Sequence, residues 1–430
     1  MGLKIAVLII FLLTYVFIIA LPKYKLPITA ASSILSAAIL LIAGKMDFIE
    51  LLGGIDYNVI LMLLGIMLTV GLFADSEMPA ALSDKIISKV PSTLVAIVLL
   101  SVLSGVVSAF LDNVATVLML APIGISVAKK TGVSPVPVII SIAVSSNLQG
   151  AATLVGDTTS VMLGSFANMS FFDFFFLDGK FSIFWAVELG ALLTIPVIMF
   201  IFRKHNARLN YTPEKIVVKT VVPTVLLLIN LLLLIVFSFV TNKLAITNGL
   251  ICAIIGVIAV AYDSLKFRHN PLVTVKKSVD YESVLFLICL FILIVSVEKV
   301  GLIDDIASLF ISIGNKNVFL LYTVIVVGSV VCSAFIDNIP FVATMLPVIS
   351  GLAAGLPDVS PYLLYFGLLC GATLGGNLTP IGASANIVGI GILKKEGYSV
   401  KTSDFLKIGV PFTLLAVFGG YIFCWLVWGI

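Results

Sequence analysis

Two stretches more than two hundred residues apart each set a carboxylate beside an amide inside apolar sequence. They are SAFLDNVATVLMLAPI (residues 108–123) and SAFIDNIPFVATMLPV (residues 333–348), identical at seven of sixteen positions when offset by 225. Their shared pairs, Asp112-Asn113 and Asp337-Asn338, carry hard oxygen donors. A carboxylate at membrane depth is expensive, so it faces a cavity, pairs with a partner or handles an ion. No Lys or Arg falls within the apolar runs on either side of these pairs, or within the polar interruptions described next. No salt bridge within these elements explains the aspartates, and they read as sites for Na+ or H+. The plain alternative is that each Asp only N-caps the helix that follows it. The two roles are compatible, because a capping carboxylate can still offer an oxygen to a cation.

Two further stretches supply oxygen ligands. Asn147, Gln149, Thr153, Thr158, Thr159 and Ser160 cluster around Gly150, Gly156 and Asp157, while Asn377, Thr379, Ser384 and Asn386 cluster around Gly375, Gly376 and Gly382. Side-chain and freed backbone oxygens there suit Na+. Half-helix N-termini beginning near Thr158 and Ser384 offer partial positive charge and free N–H groups to an anion. The glycines permit sharp turns and close backbone approach, with close helix packing as their plainer use. Asp157 is a third candidate carboxylate, against which stands a solvated loop aspartate. Glu188 falls near the outer end of a later apolar run and reads as interfacial. The candidate binding residues are Asp112, Asn113, Thr116, Asn147, Thr153, Gly156, Asp157, Thr158, Asp337, Asn338, Asn377, Thr379, Gly382, Ser384 and Asn386, with Na+ at Asp112, Asn113, Asp337 and Asn338 if sodium is the coupling ion.

The elements that must position these residues are membrane helices. The chain of 430 residues is 60% hydrophobic and 11% charged, where soluble domains carry about 25% charged residues. A soluble protein with a very large core is excluded by apolar runs near spanning length that recur along the whole chain. The run 5–21, with a lone Lys4 before it and no small-residue cleavage pattern at Leu21-Pro22-Lys23, reads as a retained first helix rather than a signal peptide. Runs 114–128 and 339–355 are shorter than a spanning helix needs, and each follows an Asp-Asn pair. They pair with 93–111 and 317–336 as re-entrant helical hairpins, the alternative being two full crossings per pair. Runs 135–167 and 360–393 are too long for one helix and read as single crossings broken at their Gly-rich stretches. The five cysteines stand singly in apolar runs, and His205 and His269 lie in basic loops, so neither a metal centre nor an intramembrane enzyme is expected.

With ten crossings and two hairpins, 19 of the Lys and Arg residues fall on one side and six on the other. The positive-inside rule makes the 19-residue side cytoplasmic, which puts both termini outside. The repeat extends past the tips: Asp56-Tyr57 recurs as Asp280-Tyr281, Thr153 and Gly156 as Thr379 and Gly382, and Phe172-Asp173-Phe174 as Ser403-Asp404-Phe405. Five crossings per half is odd, so the halves sit upside down to each other. The fold class expected is an all-α polytopic membrane protein of two inverted repeats, each with five crossings, one re-entrant helical hairpin and one discontinuous helix. Residues 1–202 form the first repeat, with scaffold helices in 3–74, hairpin 93–128 and broken helix 135–167. Residues 203–216 are a cytoplasmic linker. Residues 217–430 form the second, with scaffold helices in 217–297, hairpin 317–355 and broken helix 360–393. Substrate sites in such proteins lie near the midplane at the repeat interface.

The segments FLDNVATVLMLAP, NLQGAATLVGDTTS, FIDNIPFVATMLP and GGNLTPIGASANIV resemble the ion transporter superfamily, which includes arsenite permeases, NhaD-type Na+/H+ antiporters, citrate and dicarboxylate carriers and the melanosomal P protein. The likeness is closest to the P-protein and arsenite-permease branch and covers nearly the whole chain. It implies a homodimer working as an elevator, with hairpins and broken helices moving against a scaffold of the first three helices of each half. Dicarboxylate members carry Ser-Asn-Thr at the hairpin tips, where this chain reads Asp112-Asn113-Val114 and Asp337-Asn338-Ile339. Relatives often read Gly-Asp-Pro-Pro-Asn where Gly156-Asp157-Thr158-Thr159-Ser160 stands here. Two added carboxylates argue against a citrate-like substrate unless Na+ or H+ neutralises them. The function expected is ion-coupled transport of a small anion or arsenite-like solute, in the inner membrane, with Na+ or H+ as coupling ion and no other cofactor. Na+/H+ antiport and an anion channel are the alternatives. The partners expected are the lipid bilayer, a small ionic solute and a second copy of the chain, with no nucleic acid.

Overall fold

Apolar stretches without internal charge leave each backbone N–H and C=O no partner in lipid but its own helix. The computed structural model of the chain describes residues 2–205, 216–241, 243–314, 317–356 and 359–430, and its elements follow that rule. The first half runs α1 (Gly2–Ala20), α2 (Lys25–Ile42), α3 (Phe48–Gly53), α4 (Tyr57–Asp75), α5 (Met78–Ile87), α6 (Thr93–Ser108), α7 (Asn113–Thr131), α8 (Pro135–Gln149), α9 (Thr158–Phe166) and α10 (Ile183–Phe202). The second runs α11 (Val222–Ser238), α12 (Thr247–Phe267), α13 (Pro271–Ser278), α14 (Tyr281–Lys299), α15 (Leu302–Gly314), α16 (Val318–Ser333), α17 (Asn338–Ala354), α18 (Pro361–Leu369), α19 (Ser384–Lys395) and α20 (Thr402–Trp428). Among the described residues the one sheet is a two-stranded hairpin, β1 (Phe176–Leu177) with β2 (Lys180–Phe181). Among the described residues, eight helices are long and apolar enough to cross a membrane. The linker expected at 203–216 falls mostly outside the described residues, at 206–215.

Repeated sequence builds repeated ends. Asp56 N-caps α4 by accepting from Val59 N (3.0 Å), and Asp280 caps α14 by accepting from Ser283 N (3.2 Å). Pro135 and Pro361 open α8 and α18, where a missing N–H is harmless. The arms around the first Asp-Asn pair are α6, of 16 residues, and α7, of 19. The second arm is therefore longer than the apolar run suggested, because it continues through Lys129 and Lys130 to a left-handed cap at Gly132.

Both long runs are interrupted, by different means. After α8 the backbone leaves the helix at Gly150 and restarts at Thr158. After α18 it first widens into a π-turn over Cys370–Leu374, then tightens to a 3-10 turn over Gly376–Leu378, and restarts at Ser384. The second interruption thus begins earlier than its Gly375-Gly376 pair.

The halves interlock by exchanging equivalent contacts. Helix α4 packs on α12 as α14 packs on α2; α7 packs on α19 as α17 packs on α9; α10 and α20 pack on each other. Ion pairs Lys4–Asp305 (2.6 Å), Lys299–Glu50 (2.7 Å), Lys277–Asp75 (2.6 Å) and Lys129–Glu396 (2.8 Å) each join residues that the charge asymmetry assigns to one side of the membrane.

Candidate functional site

Each hairpin tip is latched to the break of its own half by a threonine and a glycine at matching positions. Thr153 Oγ1 donates to the Ala109 carbonyl, and Thr379 Oγ1 to the Ala334 carbonyl. A Cβ on Gly156 would lie 2.6 Å from Gly150 O and 2.9 Å from Ala109 O; on Gly382 it would lie 2.5 Å from Gly376 O and 2.6 Å from Ser333 O. Only glycine lets tip and break approach this closely. The restarting helices close the latch from behind: Ser160 Oγ donates to Gly150 O (3.0 Å) and Asn386 Nδ2 to Gly376 O (3.2 Å). In the first half these bonds join the tip to the break between α8 and α9.

Buried amides then join the two halves. Asn113 Nδ2 donates to Asn147 Oδ1 (3.0 Å), and Asn147 Nδ2 donates to Thr373 O (2.8 Å) and Asn377 Oδ1 (3.1 Å). Asn377 Nδ2 returns to Val144 O (2.8 Å), and the Thr159 and Thr373 hydroxyls meet at 3.1 Å. Asn147, Thr159, Thr373 and Asn377 are fully buried.

The three carboxylates sit around this crossing, in unlike settings. Asp112 Oδ1 caps α7, accepting from Val114 N (3.0 Å) and Ala115 N (3.1 Å). Asp157 is buried and not a solvated loop residue: its oxygens accept from Thr158 N (2.7 Å), Thr159 Oγ1 (3.2 Å) and Asn338 Nδ2 (3.1 Å). Asp337 holds the capping position of α17 yet makes no capping bond. Its Oδ2 lies 3.5 Å from Lys25 Nζ, and its Oδ1 has no hydrogen-bond partner. Among the described residues no Lys or Arg of the hairpins or breaks stands at the tips, Lys129 and Lys130 lying in the far last turn of α7, but the fold carries Lys25 in from the start of α2. In sequence Lys25 reads as a loop cation, and nothing in the chain marks its destination.

The structure sorts the remaining candidates. Thr153, Thr379, Gly156, Gly382 and Asn386 hold tips and breaks together; Asn386 Nδ2 also donates to Thr379 O (3.3 Å). Thr116 is fully buried with an unpartnered Oγ1. Thr158 contributes a backbone N–H to Asp157, so the N-terminus of α9 is occupied by a carboxylate of the chain itself. Ser384 is half-buried at the open start of α19, whose capping position is Ala383. Ser108 and Ser146, bonded to each other at 3.0 Å, and Tyr15, whose hydroxyl donates to Pro340 O (2.7 Å), were not singled out. Ser108 did carry a signal, as one of the residues repeated at the offset of 225. Glu188 lines a cavity of about 80 Å³ with Ser101, Ser145 and Gln149, which lie on α6 and α8.

Comparison with known proteins gives consistent matches. A family model described as citrate transporter (CitMHS) matches residues 14–371. A 46 kDa membrane protein of Mycobacterium leprae is 31% identical over 386 residues, covering 87% of each chain. An uncharacterized transporter of Mycobacterium tuberculosis is 28% identical over 418 residues, covering 94% of each. The human P protein is 25% identical over 459 residues, covering 88% of this chain and 54% of that one. Among solved structures, the Alcanivorax borkumensis YdaH transporter shares the fold with a TM-score of 0.61 at 15% identity, covering 88% of each chain. Neisseria gonorrhoeae MtrF does so at 0.55 and 14% identity, covering 86% of this chain and 80% of that one.

Proposed function

The chain belongs to the citrate transporter (CitMHS) family of multi-pass membrane transporters, and from that premise we propose that it is an ion-coupled secondary carrier of a small anion or arsenite-like solute, driven by Na+ or H+. One observation carries the reading: Asp112, Asp157 and Asp337 gather where two tips and two breaks meet, against a single lysine, and Asp337 Oδ1 is left without a partner. A buried surplus of carboxylate calls for a cation. Once a cation is bound, the helix starts of α17 and α19, which lack side-chain caps, are the positions whose free N–H groups favour an anion. The corresponding starts of α7 and α9 are filled by Asp112 and Asp157. The same surplus favours Na+/H+ antiport as the second reading, since the carboxylates can exchange the two cations without an anion.

The hairpins and broken helices form the moving part, and α1, α2, α4, α11, α12 and α14 the scaffold. Dense bonding among tips and breaks supports this division, as do the sparse polar links to the scaffold, chiefly Lys25–Asp337, Tyr15–Pro340 and Asn58 Nδ2 to Ser165 Oγ (3.2 Å). The exchanged contacts of α4–α12 and α14–α2 support an inverted relation of the halves. We assign the carrier to the inner membrane as a homodimer with both termini outside. The test is uptake into proteoliposomes of citrate, arsenite, sulfate and 22Na+ under imposed Na+ and pH gradients. Flux that follows either gradient supports the carrier; solute flux indifferent to both is channel behaviour and sinks the proposal.

A further inference from the structure

Lys25 and Asp337 form an ion pair that spans the boundary between scaffold and hairpin. Their side chains are only 20% and 19% exposed, and the pair is loose at 3.5 Å. Asp337 and its repeat mate Asp112 have the same backbone, with φ and ψ of −50° and 136° against −51° and 138°. Asp112 uses that backbone to accept two N–H groups, whereas Asp337 accepts none and faces Lys25 instead. Part of the difference lies in the main chain, because Pro340 stands where Ala115 donates to Asp112 and has no N–H to give; the Ile339 N–H remains, yet Asp337 makes no capping bond and faces the lysine. The second oxygen, Oδ1, remains buried and unpartnered, which leaves half of the carboxylate open to another cation. In the same position Lys25 Nζ also lies 5.4 Å from the centre of the Phe286 ring on α14, within cation–π range. The counterpart of α2 in the other half, α12, opens on Thr247 and not on a cation, so only one half carries the device.

We propose that Lys25 is a tethered counter-cation for Asp337, occupying the carboxylate in the cation-free carrier and displaced from it when the coupling cation binds. This rests on Asp337 being a coupling site. Ammonium and coupling cation compete for one carboxylate, so loading breaks the link between α2 and the second hairpin and frees the hairpin to move. In the empty carrier the lysine neutralises Asp337 and holds the second hairpin to α2. The other groups around the carboxylate are Asp157, reached through Asn338, and the Tyr15 hydroxyl on α1, bonded to Pro340 O and Thr344 Oγ1. Neither supplies a competing cation.

The experiment is charge displacement in proteoliposomes on a solid-supported membrane, after a Na+ step at fixed pH and a pH step at fixed Na+. Lys25→Gln is expected to lower the half-saturating concentration of the responding cation about tenfold or more, the scale of a nearby opposite charge. Lys25→Arg is expected to stay within about threefold of wild type. The Lys25→Gln shift should vanish in an Asp337→Asn background; no shift, or a shift that persists in that background, overturns the proposal. A wild-type response that survives unchanged in Asp337→Asn refutes the coupling site itself, and so does a wild type silent to both steps. If Lys25→Gln does not fold, acylation of Lys25 by an amine reagent, read by mass spectrometry, decides between wild type and Asp337→Asn. Several-fold faster labelling in Asp337→Asn supports displacement, and equal labelling overturns it.

Discussion

Asn147→Ala tests whether the buried amides hold the two halves together. Asn147 is fully buried and makes three bonds: one accepted from Asn113 and two donated, to Thr373 O and Asn377 Oδ1. Alanine removes all three and leaves three buried partners short of a bond. Inter-helix hydrogen bonds inside membranes average about 0.6 kcal/mol and reach about 1.7. The loss is therefore about 2 kcal/mol and at most about 5. A loss of about 2 kcal/mol is small beside a folding stability of about 5–15 kcal/mol, so the variant is expected to purify with a modestly lowered unfolding temperature. If the loss falls on the assembly of tip and breaks that transport requires, 2 kcal/mol lowers the population of that assembly, and with it uptake, about 30-fold. Asn230→Ala on α11 is the control: its amide makes one long contact, 3.8 Å to Cys252 Sγ, and its Oδ1 has no partner. Proteoliposome uptake beside thermal unfolding in detergent reads both quantities. An Asn147→Ala protein that matches wild type in both would refute the reasoning, as would an Asn230→Ala protein that falls equally far.

Three further outcomes follow from the same geometry. Asp112→Asn and Asp337→Asn should each abolish gradient-driven uptake while eluting as folded protein, and wild-type uptake in both would remove the carboxylates from the mechanism. Gly156→Ala and Gly382→Ala drive a Cβ into backbone oxygens at 2.5 to 2.9 Å, an overpacking that costs about 1–3 kcal/mol or more. Both should lower the unfolding temperature and uptake, while Gly391→Ala on α19, with nothing within 4 Å, should do neither. Single cysteines at the exposed positions Lys45 and Lys394 should differ on intact cells, an impermeant maleimide labelling Lys45→Cys and not Lys394→Cys; the reverse pattern inverts the assigned topology.

How much of this was legible in sequence depended on whether the signal was local. The tips and breaks repeat as short motifs, and both latches fell on repeated residues, Thr153/Thr379 and Gly156/Gly382, with Ser160 and Asn386 at matching positions. Helix starts were legible too, because Asp56, Asp112 and Asp280 cap in place. The π-turn over Cys370–Leu374 was not, since CGATL contains nothing that a straight helix would reject. Lys25 was invisible for a different reason. Its role depends on where α2 packs against the second hairpin, more than three hundred residues away in the chain, and a lysine at a helix start ordinarily reads as a solvated end.

The differences between the halves bear more on function than their likeness. The latches are the same in both, so what the duplication has preserved is the placement of tip against break. The charges have diverged: Asp157 stands where the other half has Ala383, and Asp112 caps its helix where Asp337 turns to Lys25. Two identical carboxylate sites would bind the same cation twice and offer no open helix start to an anion. On the proposed reading, the first half's acids fill the starts of α7 and α9 and fix their helices. The second half leaves α17 and α19 open and holds one carboxylate in reserve against a lysine. A pseudo-symmetric frame with one-sided chemistry is what a carrier needs if its moving part must fit the scaffold from either face yet bind each ion at a single place. Restoring symmetry tests this directly: Ala383→Asp adds a fourth carboxylate to the cluster and closes the start of α19 as Asp157 closes that of α9. It should spare or strengthen the cation response of the proteoliposomes while suppressing anion uptake. An Ala383→Asp protein that takes up anion like wild type would show that the open start of α19 plays no part in binding it.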